Sequence, residues 1–287
     1  MKGIILAGGS GTRLHPLTSI TSKQLLPVYD KPLIYYPLST LISLGIDEIL
    51  VISNSNQINL FEQLLGNGKK FGISLSYEVQ IMPNGIAEAL LIGEKFLGSD
   101  NCCLILGDNI FVSNIFQPSL VENFTLGAKV FTSKVKDPER YGVVGFDDAG
   151  SVNSIVEKPD QPASNYAITG LYFVDETAPD RAKQVQASKR GEMEITSVLD
   201  SYQKEGSLTV EKLGRGFAWL DTGTHNSLLD ASNFVKTLTV RQGLQVGSPD
   251  EVAYKAQWVT KENLKSNSEL FEKNEYGRYL LSLISDT

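Results

Sequence analysis

The sequence predicts an α/β fold: a Rossmann-like mixed, mostly parallel sheet with helices on both faces and a helical C-terminal segment. Its first half alternates short apolar, β-branched runs with amphipathic segments, the pattern of parallel strands joined by crossover helices. The apolar strand-like runs among these indicate strands buried on both faces of a sheet. Of 287 residues, 41% are hydrophobic and 21% are charged, close to the averages of globular proteins. This composition excludes disordered, collagenous and coiled-coil chains.

The order of these segments predicts one large core followed by helices. Strands are expected at 2–6, 48–53, 74–79, 102–106 and 128–133, and helices at 33–44, 57–65, 85–97 and 114–124. An Asp/Gly cluster at 147–150 marks the turn of a hairpin, which makes the sheet mixed. Further strands are expected at 165–174 and 207–210, and further helices at 193–202, 235–244, 250–257 and 270–284. We therefore expect a core of residues 1–224, which contains an insertion, and a helical segment of residues 225–287 packed on it.

The charge balance argues against a polyanionic partner. The chain has 26 Lys and Arg against 33 Asp and Glu, a formal net charge of −7, and neither sign forms a long run. A surface for nucleic acid or an anionic membrane is therefore not expected. No stretch approaches the roughly 18 apolar residues of a membrane span, and the N-terminal apolar run is too short for a signal sequence.

The cysteines and histidines do not suggest a disulfide or a transition-metal site. Cys102 and Cys103 are adjacent in an apolar run, where a disulfide would be strained and would close no useful loop. We therefore expect a reduced, cytoplasmic protein. His15 and His225 are far apart in the sequence. A zinc site is not expected.

The loop after the first predicted strand is rich in glycine and suits an anion. Gly8, Gly9 and Gly11 let backbone N–H groups turn toward a phosphate, and a helix beginning after the loop would add its dipole. The loop is not a Walker A motif, because it lacks a Gly-Lys-Ser/Thr ending. It is not a dinucleotide fingerprint either, because Leu14 stands where the third glycine would be. A glycine-rich turn without a ligand is the alternative.

Two cations follow the glycine loop. Lys23 lies ten residues after Arg13, in a segment long enough to fold back over the loop. Two cations and a ring of N–H donors suit a triphosphate, whose charge must be neutralised as pyrophosphate leaves. A solvated surface lysine is the alternative for Lys23.

The motif Gly8-Gly9-Ser10-Gly11-Thr12-Arg13-Leu14, followed by Lys23-Gln24-Leu25-Leu26-Pro27, resembles the sugar-1-phosphate nucleotidyltransferase family. The resemblance continues through nearly the whole chain, in blocks at 80–87, 106–111, 141–144, 157–159, 169–172, 190–196, 214–224 and 243–247. It implies transfer of a nucleoside monophosphate from dTTP to glucose-1-phosphate, which gives dTDP-glucose and pyrophosphate. The insertion in the core would carry the sugar site.

The resemblance assigns residues to each part of such a site. Asp108 and Asp221 would hold Mg²⁺, and their carboxylates suit the oxygen-only, octahedral preference of that ion. The cations that would neutralise the phosphates are Arg13, Lys23, Lys158 and Arg190. The nucleotide would contact Leu6, Gly8, Gly9, Gly11, Thr12, Gln24, Gln80, Pro83 and Gly85. The sugar would contact Asn109, Gly142, Glu157, Tyr172, Thr196 and Trp219.

The expected mechanism is a direct displacement. A Ser-His-Asp or Cys-His arrangement is not apparent, and a sugar phosphate is already an anionic nucleophile, so no protein nucleophile is needed. A phosphate oxygen would attack the α-phosphorus in line and invert it. The resemblance also implies a homotetramer and a product that feeds deoxysugar and polysaccharide synthesis.

Three other functions are weighed against this one. UTP in place of dTTP stays open, because one methyl group is worth only about 1–3 kcal/mol in a pocket, although the block pattern favours dTTP. A non-catalytic sugar-nucleotide-binding or regulatory subunit would be expected to lose Arg13, Lys23 or a metal aspartate, and all are present. An NAD-dependent oxidoreductase would need an acidic residue after the second strand, where Ser53 and Asn54 stand.

The sequence departs from the family pattern at a few positions. Glu88 replaces a usual Gln, either as a change in the pocket or as a helix-start charge favoured by the dipole. Residues 112–114 differ where relatives, together with Arg215 and the C-terminal helices, form a second nucleotide site for feedback inhibition. Such control therefore stays open here. Ser197 replaces a common Asp beside the sugar pocket.

Overall fold

The fold is seen in a computed structural model, which describes residues 1–9 and 11–285. Ser10, in the glycine loop, and the last two residues of the predicted C-terminal segment lie outside the described residues. The strands are β1 (Lys2–Leu6), β2 (Pro27–Val28), β3 (Lys31–Pro32), β4 (Glu48–Ser53), β5 (Ser74–Val79), β6 (Cys102–Leu106), β7 (Asn109–Val112), β8 (Ala128–Lys134), β9 (Gly142–Phe146), β10 (Val152–Glu157), β11 (Tyr166–Val174), β12 (Leu208–Lys212) and β13 (Ala218–Asp221). The α-helices are α1 (Tyr35–Ser43), α2 (Ile58–Leu65), α3 (Glu88–Ile92), α4 (Glu94–Leu97), α5 (Pro118–Glu122), α6 (Ala178–Lys183), α7 (Ile195–Lys204), α8 (His225–Gln242), α9 (Pro249–Lys255), α10 (Lys261–Glu269) and α11 (Glu275–Ser285).

A central mixed sheet has the strand order β10-β9-β11-β6-β1-β4-β5, and β8 and β12 extend it from β11. Strands β6, β1, β4 and β5 are parallel to one another. Strand β11 runs antiparallel to β6, β8 and β9, and the predicted hairpin is formed by β9 and β10. The predicted α/β class is confirmed. Because the four parallel strands point the same way, their carboxyl ends lie at one edge of the sheet.

Helices cover both faces of the sheet. Successive residues of a strand point to opposite sides of the sheet, so both sets of side chains are buried. On β1, Ile4 and Ile5 are each 0% exposed. Ile5 packs in an apolar cluster with Leu38 of α1, and Ile4 packs in a second cluster with Leu90 of α3 and Val198 of α7. The continuous apolar sequence of β1 is therefore explained by helices on each side.

The C-terminal helices share apolar clusters with the sheet and its loops. Helix α8 begins with a capping box, in which Thr224 and Ser227 each accept from the other residue's backbone N–H. Its buried Val235 packs in one cluster with Leu14 and with Ile110 of β7. The predicted boundary between residues 224 and 225 falls at the start of this helix. The division of the chain into two units stays a prediction.

Several predicted helices differ in extent. The helix expected at 85–97 is two short helices that meet at Gly93, where a Cβ would lie 2.6 Å from Ile4 Cδ1. Glycine also weakens a helix, which explains the break. The helix expected at 114–124 is reduced to α5, which begins at Pro118, a residue favoured in the first turn of a helix. Helix α10 and the pair β7–β13 were not predicted.

Cys102 and Cys103 are both buried in β6 as free thiols. Within residues 1–9 and 11–285, the structure holds no helix that is both long enough and apolar enough to cross a bilayer.

Candidate active site

A cavity of about 700 Å³ lies at the carboxyl ends of β1, β5 and β6. Its wall contains each residue that the resemblance assigned to the metal, the phosphates, the nucleotide or the sugar: Leu6, Gly8, Gly9, Gly11, Thr12, Arg13, Lys23, Gln24, Gln80, Pro83, Gly85, Asp108, Asn109, Gly142, Glu157, Lys158, Tyr172, Arg190, Thr196, Trp219 and Asp221. These residues are spread over most of the chain, and the fold brings them to one cavity. Their individual roles stay predictions.

The glycine loop forms one end of the cavity. Gly9 and Gly11 have φ values of 102° and 60°, in the region that favours glycine. The loop is fixed by Thr18, whose hydroxyl donates to the Gly11 carbonyl at 2.7 Å. The expectation of an α-helix after the loop was wrong, because residues Thr12–Leu14 form a single 3₁₀ turn. A turn this short adds no α-helical dipole, so a phosphate here would depend on backbone N–H groups and on the nearby cations.

Two buried glutamines lie beside the glycine loop. Gln24 and Gln80 are each 4% exposed. The Ser22 hydroxyl donates to Gln24 Oε1 at 2.5 Å. The Gln80 amide reaches toward Gly8, where a Cβ would lie 2.5 Å from Gln80 Oε1. A residue larger than glycine at position 8 would therefore displace this amide.

Gly85 closes the cavity at the same end. Its φ is 118°, and a Cβ on it would lie 2.4 Å from the carbonyl oxygen of Met193. Its own carbonyl accepts from Gln80 Nε2 at 3.3 Å. Both the backbone conformation and the close approach require glycine, which fixes the segment before α3 against the segment before α7.

The two predicted metal ligands lie at the same end of the paired strands β7 and β13. Asp108 stands between β6 and β7, and Asp221 ends β13, where it pairs with Asn109 of β7 in the antiparallel ladder. The Thr222 hydroxyl donates to the Asp108 carbonyl oxygen at 2.8 Å and joins the two segments. Sequence reasoning did not predict this strand pair, yet it is what brings two carboxylates, far apart along the chain, to one wall of the cavity.

Asp108 is held as an anion. Lys23 Nζ lies 2.6 Å from Asp108 Oδ2, and Asn109 Nδ2 donates to Asp108 Oδ1 at 2.8 Å. Burial raises the pKa of Asp108, but the Lys23 charge, together with the hydrogen bonds from Lys23 and Asn109, outweighs burial and lowers that pKa below its ordinary 3.8. Asp108 is therefore ionised at neutral pH.

Two residues that the sequence analysis did not select hold Asp221. Arg140 Nη2 lies 3.2 Å from Asp221 Oδ2, and the Tyr141 hydroxyl donates to the same oxygen at 3.2 Å. A second contact fixes the guanidinium, since Arg140 Nη1 lies 2.6 Å from Asp137 Oδ2. Arg140 directly precedes the block at 141–144, and its position beside that block is the signal that could have identified it.

The donor chemistry of the two carboxylates is of the kind that a magnesium ion prefers. Within the described residues there is no group of three or more His, Cys, Asp or Glu side chains that could hold a metal. Two carboxylates are nevertheless what Mg²⁺ ordinarily takes from a protein when substrate phosphates and water supply its remaining oxygens. The donor set is oxygen only, which suits this ion better than zinc.

The opposite end of the cavity is formed around Glu157. Arg190 Nη1 and Lys158 Nζ lie 3.5 Å and 3.8 Å from Glu157 Oε1, and the Thr196 hydroxyl donates to Oε2 at 3.4 Å. Burial, followed by the charge of Glu194, raises the pKa of Glu157 above its ordinary 4.5. A carboxylate and two cations side by side can bind hydroxyl groups and a phosphate.

Aromatic and small residues complete this end. The Trp219 indole N–H donates to Asn109 Oδ1, and Tyr172 is 4% exposed in the wall. Gly142 lies so close to Thr196 that a Cβ would be 2.8 Å from Thr196 Cγ2. This end of the cavity therefore combines aromatic surface with hydrogen-bonding groups, which is the usual composition of a small-molecule site.

The departures from the family pattern at 112–114 and Ser197, and Arg215, which matches the family pattern, are not wall residues of the cavity within the described part of the chain. Val112 ends β7 and pairs with Ala218, and Arg215 is exposed. Ser197 is exposed on α7 and, in the part of the chain that the structure describes, is not a wall residue of the cavity.

The fold and the cavity define a class of enzyme that acts on phosphorylated small molecules, and comparison with known proteins identifies the family. Residues 2–237 match the family model described as Nucleotidyl transferase, and the chain belongs to this family.

The relatives in the comparison are named consistently. The chain is 54% identical over 286 residues to the glucose-1-phosphate thymidylyltransferase of Neisseria gonorrhoeae, and the match covers 99% of each chain. It is 52% identical to the enzyme of the same name from Mycolicibacterium smegmatis, again over 99% of each chain.

Solved structures agree with this assignment. A candidate glucose-1-phosphate thymidylyltransferase from Bacillus anthracis, in complex with sucrose, is 42% identical, with a TM-score of 0.76. The match covers 82% of this chain and 94% of that chain. A UDP-glucose pyrophosphorylase complexed with UDP-glucose has a TM-score of 0.71 at 24% identity, covers 82% of this chain and 98% of its own, and supports the fold alone.

Proposed function

We propose that this chain transfers a thymidylyl group from dTTP to glucose-1-phosphate, forming dTDP-glucose and releasing pyrophosphate. The relatives named glucose-1-phosphate thymidylyltransferase support this pair of substrates. One observation carries the proposal: Asp108, directly before β7, and Asp221, at the end of its partner strand β13, line the same cavity as the glycine loop and Lys23. A volume of about 700 Å³ suits two small ligands side by side.

Nucleotide and sugar occupy opposite ends of the cavity in this proposal. The triphosphate lies against the glycine loop, with Arg13 and Lys23 beside it, and the base lies between Gln24 and Gln80. The sugar lies between Trp219 and Glu157, with its phosphate toward Lys158 and Arg190. The cations at the two ends, which all line the cavity, support this placement, because each end would carry a phosphate group.

The reaction is a single in-line displacement. A phosphate oxygen of glucose-1-phosphate forms a bond to the α-phosphorus of dTTP as the bond from that phosphorus to the bridging oxygen breaks. The electron pair leaves with pyrophosphate, and the configuration at phosphorus inverts. The attacking phosphate is already anionic, so no general base is needed. Lys23, Arg13, Lys158 and Arg190 contribute by positioning the reactants and neutralising charge.

We propose that Asp108 and Asp221 hold Mg²⁺ during turnover. Bound there, the ion would neutralise charge on the phosphate oxygens and orient them. Lys23, which contacts Asp108, keeps this carboxylate in place and ionised. Asn109 fixes its second oxygen.

We also propose a cytoplasmic homotetramer, whose product feeds deoxysugar and polysaccharide synthesis. This proposal comes from the resemblance to the family. It is supported by exposed apolar side chains on α8 and just after it, since Leu229, Val240 and Leu244 are 60%, 63% and 55% exposed. Light scattering coupled to size-exclusion chromatography tests the subunit number, and a monomer at micromolar concentration would contradict it.

Pyrophosphate release tests the function. The purified chain is incubated with Mg²⁺ and each combination of dTTP, UTP, dCTP and dATP with glucose-1-phosphate, galactose-1-phosphate or mannose-1-phosphate. We expect the highest kcat/KM for dTTP with glucose-1-phosphate. A preference for UTP would show the uridylyltransferase alternative. No release from any pair would leave only a sugar-nucleotide-binding protein.

A further inference from the structure

Glu88 contacts a base-pocket residue from outside the cavity. It is the first residue of α3 and is half-buried. Its Oε2 accepts from Gln80 Nε2 at 2.7 Å, and its Oε1 accepts from Asn84 Nδ2 at 2.8 Å. The described residues that line the cavity do not include Glu88. An effect of Glu88 on the nucleotide would therefore act through a neighbour, and Gln80 is the neighbour that lines the cavity.

The contacts of Gln80 leave one orientation for its amide group. An ionised carboxylate can only accept hydrogen bonds, and so can a backbone carbonyl. Gln80 Nε2 lies against both kinds of acceptor, Glu88 Oε2 and the Gly85 carbonyl oxygen at 3.3 Å. If the amide were flipped, its oxygen would face these acceptors, and two hydrogen bonds would become repulsive contacts.

The amide oxygen is consequently directed toward the glycine loop. Gly8 has no side chain, and a Cβ there would lie 2.5 Å from Gln80 Oε1. Because Gln80 is buried, a ligand in the cavity rather than bulk water would hydrogen-bond to its Oε1. The part of the Gln80 amide that remains for a ligand is therefore its oxygen, which is a hydrogen-bond acceptor.

We propose that Glu88 is a positioning residue for nucleotide selection. It holds Gln80 with its carbonyl oxygen toward the base, so that the site takes a pyrimidine with a proton on N3, such as thymine or uracil. Cytosine, which has an unprotonated acceptor at N3, would place two acceptors face to face. The inference rests on the proposed function, in which Gln80 contacts the base.

The residue type at position 88 matters for this selection. A glutamine there could accept through its oxygen or donate through its nitrogen, and it would let Gln80 adopt either orientation. The carboxylate removes this freedom. In this proposal Glu88, which replaces the usual Gln of the family, has a function and is not simply a charge at the start of a helix.

Calorimetric titration with dTTP and with dCTP tests the proposal without requiring turnover. The wild-type chain is compared with Glu88→Gln and with Glu94→Gln, the same change at the first residue of α4, where Glu94 pairs with exposed Lys183. We expect Glu88→Gln to reduce the ratio of dCTP to dTTP dissociation constants by about tenfold, a change that one hydrogen bond can supply. Glu94→Gln should leave this ratio unchanged.

A second background separates positioning from a general loss of structure. In Gln80→Ala, the further change Glu88→Gln should no longer alter the ratio, because the residue through which Glu88 acts is gone. Thermal unfolding checks that each variant is folded. An unchanged ratio in folded Glu88→Gln, or the same effect with and without Gln80, would overturn the inference, as would a wild-type chain that binds neither nucleotide. Tight binding of dTTP without turnover would instead count against the proposed function alone.

Discussion

Lys23 Nζ lies 2.6 Å from Asp108 Oδ2, which joins the segment after β1 to the end of β6. Both side chains are largely withdrawn from solvent, with 10% and 26% of their surfaces exposed. The ion pair keeps a cation and an anion of the site at one point of the cavity. It also keeps Asp108 ionised despite its burial. Asp108 is therefore already deprotonated when a metal ion binds to it.

Replacing Lys23 by methionine should lower turnover strongly. Lys23→Met keeps most of the apolar stem and removes the charge, so the packing changes little. Loss of one preorganised charge contact typically costs on the order of 10²–10³ in rate, and we expect a loss of that size in kcat for pyrophosphate release. Lys95→Met, on the exposed face of α4, is the matched control. A kcat within threefold of wild type, about 0.6 kcal/mol, would contradict the role of Lys23.

Arg13→Ala tests the glycine-loop end separately. Arg13 is exposed in the cavity wall, so its removal should leave the unfolding temperature unchanged. We expect kcat/KM for dTTP to fall by about 10²-fold or more, because a triphosphate would lose a charge-assisted contact. Near-normal steady-state kinetics with dTTP would exclude Arg13 from the phosphate site.

Glu157→Gln should raise stability at neutral pH. The pKa of Glu157 is raised above 4.5 in the folded chain, first by burial and then by Glu194. The folded state is therefore destabilised progressively as the pH rises from 4.5 through that raised value, and the destabilisation is absent well below 4.5, where both states are protonated. We expect the variant to unfold at a higher temperature than wild type at pH 8, with a smaller difference at pH 5.

The same substitution should weaken sugar binding. A charged hydrogen bond to a hydroxyl group is worth about 1.5–3 kcal/mol, so kcat/KM for glucose-1-phosphate should fall by about 10- to 100-fold. Glu211→Gln on β12, paired with Lys129 away from the cavity, is the control. A variant that is less stable than wild type at pH 8, or fully active, would contradict this account of Glu157.

Tyr276→Phe should destabilise the C-terminal helices without affecting the site. The Tyr276 hydroxyl donates to buried Asp250 Oδ2 at 2.9 Å, and Ser248 Oγ lies 2.8 Å from the same hydroxyl. Phenylalanine keeps the ring and leaves this carboxylate oxygen without the phenol, which costs about 1–3 kcal/mol in the free energy of unfolding. Urea unfolding measures the loss. Tyr166→Phe, which keeps its ring contact with Phe146, is the control, and equal stability of both variants would contradict the prediction.

Local sequence pattern was sufficient for the parallel strands. The strands expected at 2–6, 48–53, 74–79 and 102–106 coincide with β1, β4, β5 and β6, because each is a short segment between turns that is either mostly apolar or, as in 74–79, alternates polar and apolar residues. Helix α10 was not predicted, since Leu264 and Ser268 are the residues it buries and its sequence is otherwise polar. A capping box of Thr260 and Asn263 begins this helix.

The sequence pattern did not predict the pairing of strands that are far apart along the chain. Strand β7 pairs with β13 across more than a hundred residues, and neither strand has a turn signal that points to the other. Arg140 was missed for the same reason, since its partner Asp221 is distant along the chain. The cavity residues were found through the resemblance, and the contacts that hold them in place required the structure.

A double-mutant cycle at Asp108 and Asp221 tests the central claim that the two carboxylates act as one site. Each single substitution, Asp108→Asn or Asp221→Asn, should lower kcat for pyrophosphate release by at least about 10². Because both would serve the same ion, the double variant should be no more than severalfold worse than the more damaged single variant. Additive losses, or near-normal turnover in either single variant, would contradict the claim.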